Sequence, residues 1–142
     1  MRRPLKITLW VAIAIWLIAM VGTAPEIATA VRQKRNVERT FVSFSSALVS
    51  NNLETAYEFS GSEFRSKASL SDFTGHQEAL QKRFGKLNQI KEQSIRINVH
   101  RSPPIQTAVI AANHEYETQT LAFVYEFHYE DGKWKLYGYK EM

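Results

Sequence analysis

The stretch that decides the fold is residues 120–140, TLAFVYEFHYEDGKWKLYGYK. Leu121, Phe123, Tyr125, Phe127 and Tyr129 alternate with Thr120, Ala122, Val124, Glu126 and His128. That period of two is the pattern of a half-buried strand. Asp131-Gly132 then supplies a two-residue hairpin turn, because both positions tolerate the positive φ that such turns need. Lys133 to Lys140 is the returning strand. With Asp131 and Gly132 as the turn, Glu130 faces Lys133, Tyr129 faces Trp134, Phe127 faces Leu136 and Tyr125 faces Gly138. Opposed residues share a face of the sheet. One face is therefore Tyr125, Phe127, Tyr129, Trp134, Leu136 and Gly138, and it must be covered. The other is Val124, Glu126, His128, Glu130, Lys133, Lys135, Tyr137 and Tyr139, and it meets water or a partner.

Two further strands precede the hairpin. Ile95, Ile97 and Val99 alternate with Arg96, Asn98 and His100, Pro103-Pro104 marks a turn or sheet edge, and Thr107 to Ala112 is a compact apolar run. Before Gly85 the period is 3.6. Val37, Phe41, Phe44 and Leu48 stand at i, i+4, i+7 and i+11, one stripe of a helix over about 31–49. Asn51-Asn52 ends it, and Asn51 is expected to cap a short helix carrying Leu53, Ala56 and Tyr57. Ser60-Gly61 interrupts again, and Ser60 with Glu63 has capping-box spacing. A third helix starts near Ser69 or Ser71, runs through Phe73, Leu80 and Phe84, and stops at Gly85. The expected fold class is α+β: an N-terminal hydrophobic helix, then three helices packed on a curved antiparallel sheet of about four strands.

That hydrophobic helix is residues 7–24, ITLWVAIAIWLIAMVGTA, uncharged and preceded by Arg2, Arg3 and Lys6. Eighteen residues reach about 27 Å as a helix, close to the ~30 Å hydrocarbon core of a bilayer. The segment is longer than most secretory apolar regions, which favours a transmembrane anchor. Pro25 and Ala28-Thr29-Ala30 keep a cleaved signal peptide as the alternative. Bases on both sides give a near tie under the positive-inside rule, and the group nearest the membrane places the N-terminus inside. The expected arrangement is residues 1–30 as anchor or signal and 31–142 as one extracytoplasmic domain, membrane-held, or secreted or periplasmic after cleavage near Ala30.

The net charge of +4 belongs to the arm. Residues 40–142 hold eleven Lys and Arg against twelve Asp and Glu, a net of −1. A nucleic-acid footprint on the domain is not supported. The chain has no cysteine, which excludes disulfides and thiolate metal sites. No phosphate-binding glycine loop, nucleophile elbow or other cofactor motif is present. His100 and His114 lack a second ligand at metal spacing, so neither a metal nor a cofactor is expected.

Glu126 and His128 resemble an acid/base pair, yet parity puts both on the charged face beside Lys133 and Lys135, as a cross-strand charge ladder. His76 is different. It follows Phe73 by three residues and precedes Leu80 by four, so it is expected on the core side of the third helix, reaching a ligand pocket lined by Tyr57, Tyr125 and Trp134. No carboxylate on the aromatic face orients it, and no catalytic residue is assigned. Lys133, Lys135, Tyr137 and Tyr139 form the expected partner face, suited to a protein partner or a sheet-to-sheet homodimer.

The strings FSSALVSNNLETAY (44–57), SEFR (62–65), SDF (71–73) and DGKWKLYGY (131–139) resemble the nuclear transport factor 2-like, or cystatin-like cone, superfamily over residues 36–142, and in particular its small bacterial exported or membrane-tethered proteins. The resemblance implies helices held inside a strongly bent antiparallel sheet. That superfamily includes isomerases, dehydratases and polyketide cyclases beside non-catalytic binding domains. Its enzymes place an Asp or Glu with a His or Tyr inside the cone, and this chain matches through His76 and its tyrosines alone. The expected function is a non-enzymatic membrane-tethered or exported binding or scaffold module. The alternative is a small lyase or isomerase using His76 in the cone pocket.

Overall fold

The computed structural model describes residues 28–101 and 104–142. The apolar run 7–24, and with it the expected membrane span, lies outside the described residues. Among those described, no helix is long and apolar enough to cross a membrane. Residue contacts divide the chain into Met1–Gln33 and Lys34–Met142, and the architecture below is that of the second unit.

It is α+β. Helix α1 spans 28–49, with 34–49 in this unit. It is followed by α2 (Leu53–Glu58), α3 (Ser62–Lys67) and α4 (Leu70–Phe84). Four strands, β1 (Leu87–Arg101), β2 (Pro104–Tyr116), β3 (Thr120–Glu130) and β4 (Lys133–Glu141), form one antiparallel sheet in chain order. Asp131 and Gly132 both have positive φ, 49° and 77°, as the hairpin requires.

The α1 stripe Val37, Phe41, Phe44 and Leu48 is buried to within 2%. Phe41 and Phe44 set their rings 5.3 and 5.5 Å from Tyr125, and each lies 6.2 Å from Phe127. The first helix thus lies across the middle of β3, and its alternate residues Leu121, Phe123, Tyr125 and Phe127 are buried as the period of two demands.

Three local expectations change. Asn51 takes φ 57° and ends α1 in the left-handed region, so the cap of α2 passes to Asn52, whose Oδ1 accepts from Thr55 N at 3.3 Å. Ser60 does not cap. Its hydroxyl donates to the Tyr57 carbonyl, and α3, an additional short helix, starts from Gly61 without a side-chain cap. Its backbone is committed elsewhere: Leu136 N donates to Phe59 O at 2.8 Å and Gly61 N donates to Leu136 O at 2.9 Å. These bonds join 59–61 to the free edge of β4, where an open row of donors and acceptors would otherwise sit. Ser69 and Asp72, by contrast, form the full capping box of α4, and Gly85 ends it at φ 84°.

The hairpin register holds from Glu130–Lys133 to Phe127–Leu136 and then shifts by one. Glu126 pairs with Gly138 and Tyr125 with Tyr139, leaving Tyr137 as the extra residue of a bulge. The bulge reverses the face of everything beyond it. Tyr139, expected outside among the charges, is inside, with its ring 5.7 Å from Tyr125 and 6.1 Å from Phe64.

Candidate functional site

Three strands and α4 converge on a polar cluster inside the aromatic core. His114 on β2 is 1% exposed, and its Nε2 lies 2.5 Å from the Tyr125 hydroxyl, while Tyr116 OH stands 3.5 Å from its Nδ1. Burial depresses the His114 pKa from 6.5 to about 4, so the ring is neutral near pH 7. A neutral imidazole has one donor and one acceptor. The tautomer that satisfies both neighbours has Tyr125 donating to Nε2 and Nδ1–H facing Tyr116. Burial holds the Tyr125 phenol well above its usual pKa and pushes Tyr116 up to about 12. The second half of the cluster is Tyr139, whose hydroxyl lies 2.7 Å from His76 Nδ1 and accepts from Gln77 Nε2 at 3.1 Å. Burial raises the Tyr139 pKa, partly offset by the Gln77 bond.

This is a set of neutral hydrogen bonds. Among the described residues no carboxylate bonds to any of these groups; exposed Glu141 lies near enough to push Tyr116 further up. General acid/base chemistry needs a proton acceptor poised near the working pH, and His114 is held far below it with Nε2 already engaged. The surrounding space is filled by Phe41, Phe44, Phe123 and Phe127.

The four expected pocket residues are not brought together. His76 is exposed at the rim of α4 and touches the interior only through Tyr139. The core position is Gln77, 4% exposed. Phe73, Gln77, Leu80 and Phe84 repeat the i, i+4, i+7, i+11 spacing of the α1 stripe, the signal that would have found it. Tyr57 donates to Ala68 O at 2.8 Å and packs against Phe64 and Phe73. Trp134 is at the turn end of the hairpin, 5.4 Å from Tyr129. Tyr125 lies inside the polar cluster, and His76 meets it from the rim through Tyr139.

On the outer face, His128 stacks on Tyr137 with centroids 3.8 Å apart and planes 7° from parallel. Its Nε2 is 2.7 Å from Glu126 Oε1. The expected ladder to Lys133 and Lys135 is therefore a pair along β3, two residues apart on one face, although Lys135 does stand opposite His128. Lys67 places its ammonium 5.4 Å over the Tyr137 ring.

A cleft of about 480 Å³ opens between α1, α2 and the hairpin turn. Lys133, Trp134 and Lys135 line it together with Arg39 of α1. Among the described residues no three metal-ligating side chains cluster. Searched against known proteins, the chain matches no family model and no curated sequence.

Proposed function

We propose that the chain is a non-enzymatic binding or scaffold module, a cone of bent sheet around helices as its resemblance implies, held at a membrane or exported by residues 7–24. The observation that carries this reading is the interior. The space where an enzyme of this shape would hold substrate is occupied by Phe41, Phe44 and Phe127 around Tyr125, and the polar groups there are bonded to one another. What is left to do work is surface.

The outer face around Tyr137 fits a partner protein or a second copy. Tyr137 is half-buried, stacked on His128 and approached by Lys67, a rigid aromatic ringed by charge, the type of residue that anchors interfaces. A photo-crosslinking residue at position 137 of the full chain, in membranes of the producing cell, is expected to give a discrete adduct. The same residue at position 123, inside the sheet, gives none. Absence of any adduct at 137 overturns the reading. Intact mass of the membrane-bound chain distinguishes an anchor, at full mass, from a signal removed near Ala30.

A second reading rests on one distance, the 2.7 Å between His76 Nδ1 and the Tyr139 hydroxyl, which is the contact a small lyase or isomerase would use at the rim. It requires that His76→Ala and Tyr139→Phe each abolish a turnover while the outer-face adduct persists.

A further inference from the structure

The cleft at the hairpin turn carries an imbalance of charge that the domain as a whole does not. The folded unit 34–142 holds fourteen Lys and Arg against thirteen Asp and Glu, a net of +1, yet the cleft alone gathers Arg39 from α1 with Lys133 and Lys135 from β4 against one lining carboxylate, Glu58 of α2. Ion pairs do not account for these cations: among the described residues none of the three has one. Like charges around one concavity repel, and Glu130, opposite Lys133 in the ladder, turns its carboxylate to the backbone N and hydroxyl of Ser62 and not to the lysine. The hairpin that carries the two lysines also supplies aromatic lining, Tyr129 and Trp134. Tyr129 is 37% exposed, and its ring is tilted 59° from that of the buried Trp134 at 5.4 Å. Asn36 and Thr55 add a carboxamide and a hydroxyl.

We propose that this cleft binds a small organic anion, a phosphate or carboxylate carried on a ring-shaped or apolar body. The anionic group sits between Arg39 and Lys133, and the body lies on Tyr129. Arginine offers a fork of donors that matches the oxygens of either group, while lysine adds a mobile point charge. A concave, cation-lined site also concentrates anions before contact. Glu58 sets the selectivity at the far side, disfavouring a second negative charge on the body. This inference rests on the reading of the domain as a binding module, and names the class of ligand it takes.

The test uses Trp134 as reporter. The chain has three tryptophans, Trp10, Trp16 and Trp134, so W10F/W16F leaves only the one in the cleft wall. Full-length W10F/W16F protein in non-ionic detergent micelles is titrated with phenyl phosphate, inorganic phosphate and phenol. A saturable change in Trp134 emission is expected with phenyl phosphate, weaker with inorganic phosphate and absent with phenol. Adding R39Q/K133Q is expected to weaken phenyl phosphate at least about 10-fold, the loss of one or two charge-assisted hydrogen bonds. Both side chains are exposed, so thermal unfolding of that variant should match its parent. A parallel titration with phosphatidylcholine vesicles containing phosphatidylglycerol identifies the source of the anion. A response to these vesicles and not to phenyl phosphate assigns it to a lipid headgroup; a response to phenyl phosphate assigns it to a soluble compound. No saturable response to either, or equal affinity in R39Q/K133Q, overturns the proposal. An adduct at position 137 would still form in that case, so the loss of this site and the loss of the module reading are separate results.

Discussion

Tyr139 stands opposite Tyr125, with ring centroids 5.7 Å apart and planes 27° from parallel. The contact exists because Tyr137 is looped out of the ladder. It converts the end of β4 from an outer strand into a wall of the core, where Tyr139 joins Phe64, Phe73 and Phe123. A buried phenol needs a partner for its hydroxyl, and α4 supplies Gln77 and His76. The bulge, the glutamine in the helix stripe and the rim histidine are consequences of one register shift.

The two partners of Tyr139 are unequal, and mutation should show it. Tyr139→Phe keeps the ring contacts and strands the Gln77 carboxamide, which is 4% exposed. An unpaired buried amide costs about 1–2 kcal/mol. His76→Ala removes an exposed ring and leaves the Tyr139–Gln77 bond in place, so its cost should be about 0.5 kcal/mol. Urea denaturation of the two variants measures the order; a larger loss in His76→Ala would contradict the assignment of Gln77 as the core-side partner.

His114 makes stability depend on pH in a defined window. Its pKa falls from 6.5 in the unfolded chain to about 4 in the fold, because burial disfavours the charged ring. Above pH 6.5 both states are neutral there and the group contributes no slope. Below 6.5 the unfolded state takes up a proton that the folded state refuses, so stability falls with pH until about pH 4 and is level beyond it. The slope approaches 1.4 kcal/mol per pH unit, giving a loss of about 2 kcal/mol between pH 7 and pH 5. Asp72, whose pKa is lowered by its bonds to Ser69, adds its own loss only at lower pH. His114→Gln should flatten the curve between pH 7 and pH 5. Urea midpoints across that range check it, and an unchanged slope in His114→Gln would place the titration elsewhere.

Much of this architecture is legible in the residue pattern, and the exceptions have physical causes. Alternation in 120–130 and the Asp131-Gly132 turn specify the hairpin because apolar burial and positive φ act locally. The bulge has a weaker signature. Gly138, a glycine within a strand, is the residue that marks it, and ignoring it sends Tyr139 to the wrong face. Histidine parity fails for a related reason. The 3.6-residue period identifies which position is buried and is blind to polarity, so His76 attracts notice as a titratable group while Gln77 occupies the stripe. His114 continues the buried alternation of Ala108, Ile110 and Ala112 along β2, and what that alternation cannot show is its polar partner across the ladder, Tyr125 on β3. The cleft is likewise non-local, since Arg39 and Lys133 meet only after α1 has packed on the sheet.

Two glycines of α4 should respond in opposite directions. Gly75 lies mid-helix, and a Cβ built there meets nothing within 4 Å. Gly75→Ala therefore gains the helix propensity of alanine and a less flexible unfolded chain, about 1 kcal/mol in favour of the fold. Gly85 ends the same helix at φ 84°, and a Cβ there would stand 2.4 Å from Glu117 Oε2 and 2.8 Å from Glu117 Cβ. The neighbouring chain cannot easily withdraw. Glu117 N donates to Lys86 O at 3.1 Å, and Thr118 donates to Phe84 O through its N at 3.1 Å and its Oγ1 at 2.8 Å. Gly85→Ala should cost at least about 2 kcal/mol, combining the strain of a backbone at φ 84° and ψ −171°, a region essentially open only to glycine, with displacement of Glu117. The two parts separate in a double-mutant cycle. Glu117→Ala removes the carboxylate oxygen and keeps the Cβ, so Gly85→Ala should cost less in that background, and the remainder is the backbone strain together with the residual Cβ contact. Equal costs of Gly85→Ala with and without the Glu117 carboxylate would show that φ alone governs the helix end.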